Sequence, residues 1–136
     1  MKTKCLFAIF ALIVLFTFAG CDDQATDGGG GPVEYTGGFV DIANSIWDGS
    51  VRYNGVQYTV RVNIPNSNTY SFYINNNLDD TGTYVRTNNT ATLTSTHGYT
   101  SGQIIGTAVL TDPNTMYITN YSNTGRAGSY TVTRRP

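Results

Sequence analysis

From residue 45 onward, apolar and polar positions alternate with a period of two, and Asn, Gly and Pro punctuate the alternation. That period belongs to strands whose two faces meet different surroundings. The clearest instance is Ile46 to Ile64, IWDGSVRYNGVQYTVRVNI. Asn54-Gly55 sits at its centre. A type I′ turn needs φ > 0 at both central residues, which Asn and Gly tolerate best. A turn there pairs Tyr53 with Val56, Val51 with Tyr58, Gly49 with Val60 and Trp47 with Val62. The opposite face pairs Arg52 with Gln57, Ser50 with Thr59 and Asp48 with Arg61, the last of opposite charge. A one-residue slip would turn the charges inward, so the pattern selects this register.

The same plan recurs. Strands are expected at about 46–53, 56–64, 69–75, 82–87, 90–96, 103–111, 116–121 and 129–135. Inward positions are Tyr70, Phe72 and Ile74, then Tyr84 and Arg86 opposite Leu93 and Ala91 across an Asn88-Asn89 turn. They continue with Ile104, Gly106, Ala108 and Leu110, then Met116 and Ile118, and last Tyr130, Val132 and Arg134. Thr dominates the outward positions. Residues 75–81 read as a polar loop. At Asp112-Pro113-Asn114, parity requires either an odd loop from Pro113 to Thr115 or a bulge. Residues 33–45 form a lead-in, with Phe39 to Ala43 as a short helical or irregular plug at one end. About eight short strands joined by short loops would leave two bare edges if they stayed open. Closure into an all-β, antiparallel up-and-down barrel removes them, and eight strands leave room for a side-chain-filled interior. A two-sheet β-sandwich is the alternative, although no connection is long enough for an obvious Greek-key crossing.

The N-terminus departs from this pattern. Lys2 and Lys4 precede an apolar run from Leu6 to Phe18, which is too short and wrongly flanked for a membrane span. It ends Phe18-Ala19-Gly20-Cys21, which resembles the lipobox of bacterial lipoproteins. The resemblance implies a signal peptide over 1–20, cleavage before Cys21 and acylation of that residue. Residues 21–32, with Asp22-Asp23 and Gly28 to Gly31, read as a flexible acidic, Gly-rich tether to a domain spanning 33–136. The expected address is the bacterial cell envelope, with the membrane as partner through the acyl anchor. Acidic residues after such a Cys resemble surface-export signals in some bacteria and retention signals in others, so the leaflet stays open.

Processing also changes the charge. Both lysines and Cys5 leave with the signal. Six arginines then face nine acidic residues, for a net charge near −3. No disulfide can form, so the core alone holds the domain. Without lysine or a basic patch, nucleic acid is excluded as a partner.

The barrel itself resembles the lipocalin-like (calycin-type) family over roughly residues 40–136. The resemblance rests on Trp47 near the start of the first strand and on Gly82-Thr83-Tyr84. It rests also on Thr90-Ala91-Thr92-Leu93-Thr94 and on the closing Tyr130-Thr131-Val132-Thr133-Arg134. It implies that Trp47 packs against Arg134 and closes one barrel end, as a cation–π contact. Ser45 stands where the family usually has Gly. Some members bind small hydrophobic ligands, which implies a carrier as one possible activity.

Catalysis needs a constellation of groups, and none is legible. His97 is the single histidine, in a Gly-flanked loop. Zinc would need several His or Cys ligands. Asn75, Asn77, Asp79 and Asp80 carry suitable oxygens for Ca²⁺, but their spacing does not match an EF-hand loop, and they read as solvated turn residues. Gly28 to Gly31 lacks the Lys and helix of a phosphate loop. No cofactor is expected, and the chain reads as non-catalytic. Two binding surfaces remain. Tyr58, Tyr70, Tyr84 and Arg86 either satisfy one another or line a small interior pocket for an apolar ligand. Ile105, Val109, Tyr117 and Tyr121 form a weakly charged outer strip suited to protein or glycan. In that strip Thr107 is expected opposite Tyr121, Val109 opposite Thr119 and Thr111 opposite Tyr117.

Overall fold

The computed structural model describes residues 31–121 and 127–136. Eight antiparallel strands run in chain order around a closed barrel: β1 (Ser45–Tyr53), β2 (Val56–Ile64), β3 (Thr69–Ile74), β4 (Asn77–Thr87), β5 (Thr90–Ser95), β6 (Ile104–Asp112), β7 (Thr115–Tyr121) and β8 (Ala127–Arg134). The barrel, not the sandwich, is the architecture. β1 and β8 close it through Trp47 opposite Arg134, Asp48 opposite Thr133 and Gly49 opposite Val132.

The β1–β2 hairpin has the register that its sequence selects, from Tyr53 opposite Val56 down to Trp47 opposite Val62. Asn54 and Gly55 both have positive φ, as a type I′ turn requires. The Asn88-Asn89 turn likewise sets Tyr84 opposite Leu93 and Arg86 opposite Ala91. Inward residues of all eight strands make one core, with Trp47 and Val132 fully buried. Apolar residues face in and Thr faces out, the reverse of a lipid-spanning barrel, which turns its apolar band outward.

Three stretches differ from expectation, each through a bulge or an unread turn. Residues 75–81 are not a loop. Asn75 and Asn76, both at positive φ, form a tight turn, and β4 begins at Asn77. A register shift follows, with Tyr73 opposite Leu78 but Phe72 opposite Asp80. Between β5 and β6, Leu93 faces Gly106 while Thr94 faces Ile104. Ile105 is the extra residue and turns inward, and Ile104 is exposed. Between β6 and β7 the loop is even and a bulge restores parity: Asp112 faces Thr115, and Leu110 faces Met116. The outer pairs are therefore Thr107 with Thr119 and Val109 with Tyr117, two residues from the expected ones.

One barrel end gathers the β2–β3, β4–β5 and β6–β7 turns and both chain ends of the domain. There the lead-in crosses the opening as irregular backbone and inserts Ile42 into the core. The other end gathers the Asn54-Gly55 and Asn75-Asn76 turns and the β5–β6 connection, which contains a 3-10 turn at Gly98–Thr100.

Candidate functional site

Among the described residues, side chains pack the interior. A void of about 20 Å³ remains among Ile42, Val62, Tyr70, Phe72, Leu93 and Met116. That is close to the space one water needs, and its walls are apolar.

At the lead-in end, the guanidinium carbon of Arg134 lies 5.7 Å from the centre of the Trp47 ring. Trp47 donates its indole N–H to Ser45 Oγ at 2.7 Å, and Ser45 donates onward to the Ile42 carbonyl. Arg134 donates to the Asp41 carbonyl at 3.1 Å. Ser45 therefore satisfies a buried indole and ties the plug to β1.

A second fastening sits at the β4–β5 turn, which presents Asn89 beneath the lead-in. Its Oδ1 accepts from Val40 N at 3.1 Å and from Arg86 at 2.9 Å. Its Nδ2 donates to the carbonyls of Tyr35 at 2.9 Å and Gly38 at 2.7 Å. Two lone pairs and two N–H groups are the whole capacity of an amide side chain, and all four are used. The Asn89 backbone N–H donates to Glu34 Oε1 at 2.6 Å. Arg86 also donates to the Val40 carbonyl at 2.7 Å and stacks 4.2 Å from the centre of the Phe39 ring. Burial lowers the pKa of the Arg86 guanidinium, against the opposing fields of Tyr84, Asp41 and Glu34.

Deeper in the barrel, Asp80 is 1 % exposed and accepts from Tyr70 OH at 2.7 Å and Ser95 Oγ at 2.6 Å. Ser95 in turn accepts from Thr100 at 2.9 Å and from His97 N at 3.2 Å. The network holds the β5–β6 connection onto the barrel. Burial, and then the hydrogen bond and charge of Asp80, raise the Tyr70 phenol well above its ordinary value. Asp80 is thus a core residue, not the solvated turn residue that its polar surroundings in the sequence suggest. Among the described residues no cluster of His, Cys, Asp and Glu is arranged to hold a metal.

Of the interior candidates, Tyr70 and Tyr84 both line the small void, and Tyr58 and Arg86 do not. Tyr70 bonds Asp80, Tyr84 donates to the Asn66 carbonyl at 3.0 Å, Arg86 serves the lead-in, and Tyr58 is half-buried near the opposite rim. Burial raises the Tyr84 phenol, and Arg86 opposes that shift.

The outer strip is partly revised. Val109 and Tyr117 are cross-strand neighbours and half-buried. Ile105 is 3 % exposed and belongs to the core, because the β5–β6 bulge inverts the faces of Ile104 and Ile105. The backbone of Tyr121 ends β7, opposite Ala127. Cys21 and the signal segment lie outside the described residues. Elsewhere on the wall, Asp48 accepts from Arg61 at 2.9 Å and from Arg135 at 2.6 Å. Burial tends to raise its pKa, but those two hydrogen bonds and charges outweigh it and hold the carboxyl below its ordinary value. A surface depression of about 290 Å³ lies beside this trio, bounded by Thr59 and Asn76.

No family model, curated protein or solved structure matches this chain. Nothing in the local sequence marks Asn89, Ser45, Asp80 or Ser95 as core polar residues. Only the Asn-Asn turn hinted at Asn89, as a tight-turn residue.

Proposed function

We propose that this protein is a lipocalin-like, lipid-anchored barrel of the bacterial envelope that acts as a non-catalytic binding module through its surface. The packing of the described interior carries this reading. A carrier needs a cavity the size of its cargo, usually some hundreds of Å³, and the apolar void among the described core residues is about 20 Å³. The buried polar groups Asp80, Ser95, Asn89 and Trp47 Nε1 are engaged in bonds that hold elements together. What faces outward is Thr-rich wall with the Val109–Tyr117 pair and exposed Val85 and Ile104. Such weakly charged surface suits protein or glycan contact.

The anchor is tested by Cys21→Ser, which should move the protein from the membrane to the soluble fraction. Persistence in the membrane would refute lipid anchoring. The interior is tested by native mass spectrometry of the purified chain. The expected mass is that of the protein without cargo, and a retained apolar ligand would favour the carrier.

A further inference from the structure

Val33 and Phe39 are 81 % and 71 % exposed, and both lie on the lead-in that covers one barrel end. Their backbone is held firmly. Glu34, Tyr35, Gly38 and Val40 all bond to Asn89, and Tyr35 N donates to the Leu110 carbonyl at 2.8 Å. Arg86 supports the Phe39 ring from the barrel side. Two large apolar side chains are thus presented outward on a fixed support, where neither contributes to the core.

We propose that this lead-in face is the surface on which the protein rests against the membrane, with Val33 and Phe39 in the lipid interface. The barrel then stands with its Asn89 end toward the bilayer and the Asn54-Gly55 and Asn75-Asn76 turns away from it. The inference rests on the anchoring of Cys21. Val33 lies twelve positions after Cys21, a distance of at most about 43 Å fully extended. A nine-residue strand such as β1 is about 30 Å long. Bringing the far rim to the bilayer would make the tether run back along the wall and use most of that reach. Resting on the lead-in needs no such extension. An acyl anchor and an apolar contact on one side reinforce each other, and aromatic rings favour the headgroup level. Charge does not select the lipid. Asp41 and Asp112 are exposed at this end, and so is Arg135, with Arg134 half-buried.

The full lipoprotein, reconstituted into vesicles of phosphatidylethanolamine and phosphatidylglycerol, tests this by spin labelling. Cys21 is blocked by its lipid, so Val33→Cys or Asn54→Cys supplies the single free thiol. The label at 33 should collide with lipid-dissolved oxygen more than with a water-soluble nickel complex, and the label at 54 should do the reverse. Phe39→Asp should shift the label at 33 toward the aqueous pattern while the protein stays on the vesicles. An aqueous pattern at 33 on vesicle-bound protein overturns the resting surface and leaves the anchor intact. Protection of 33 from both reagents also overturns it, in favour of a protein contact. Failure to co-sediment with vesicles overturns the anchor and this inference together.

Discussion

The Asp80 carboxyl is buried among Phe72, Tyr70 and Ser95, and the two hydroxyls beside it are its donors. A carboxyl taken out of water is tolerated when its oxygens are bonded, and bonds to it are short and strong. The sequence hides this residue, because Asn75 to Thr81 has the composition of a loop. Only the two left-handed Asn residues and the bulge place Asp80 opposite Phe72. Tyr70→Phe should cost about 1–3 kcal/mol, since it leaves a buried oxygen without its donor. It should also change the alkaline limb. The folded pKa of Tyr70 lies above the ordinary 10.0. Its contribution is therefore complete below about pH 10 and is lost as pH rises from there toward the folded value. Phe has no proton to lose, so the gap between the two proteins should narrow above pH 10. Urea unfolding on either side of that pH measures both effects. Parallel alkaline falls would show that Tyr70 is not the group responsible.

At the scale of elements, alternation was legible wherever turns were of a recognisable kind. Asn54-Gly55 and Asn88-Asn89 pinned their hairpins, and the registers of β1–β2 and β4–β5 follow from them. Bulges were not legible. Gln103-Ile104-Ile105-Gly106 offers two adjacent isoleucines, and nothing local says which one points in. Packing decides: Ile105 fills the core, and the extra residue kinks β6. The lead-in was legible as a plug but not in its fastening, because the lead-in contacts of Asn89 are 49 to 55 residues away in sequence. Asn89→Asp keeps the shape and removes both Nδ2–H donors that hold Tyr35 and Gly38. The two carbonyls and the added carboxylate oxygen would lose good partners, at about 1–3 kcal/mol for each group left buried and unpaired. The lead-in should loosen before the barrel does. Hydrogen exchange at Val40 and Tyr35 should therefore quicken by more than exchange at Val62 or Ile118. Uniform quickening would mean that the lead-in and barrel unfold as one unit.

The whole molecule depends on a narrow seam. β1 and β8 pair over only three residues on each side, Trp47 to Gly49 against Val132 to Arg134. Adjoining contacts reinforce it. Arg135 N donates to the Ile46 carbonyl at 2.8 Å, and Arg135 reaches Asp48, which Arg61 also holds from β2. Asp48 is about one-third exposed, so this trio is screened by water and adds little, at most about 1 kcal/mol. The burial of Trp47 and Val132 does more. Gly49 lies between them in the seam, and its role is close approach. A Cβ at Gly49 would sit 2.4 Å from the Thr131 carbonyl oxygen and 2.9 Å from Val132 Cγ1. The side chain could turn aside, but the carbonyl belongs to the backbone of β8 and can move only if the strand moves. Gly49→Ala should therefore act on closure and not on local propensity, since Ala in a strand is otherwise no worse than Gly. Overpacking of this kind costs about 1–3 kcal/mol. Its signature should be spatial. Amides of Asp48 and Thr133 should exchange faster, while those of the β3–β4 and β5–β6 ladders keep their order of protection. An open seam would also bare two strand edges, so the variant should self-associate as its concentration rises. If Gly49→Ala matched the parent in both stability and exchange, the three-residue seam would not be what holds the barrel shut.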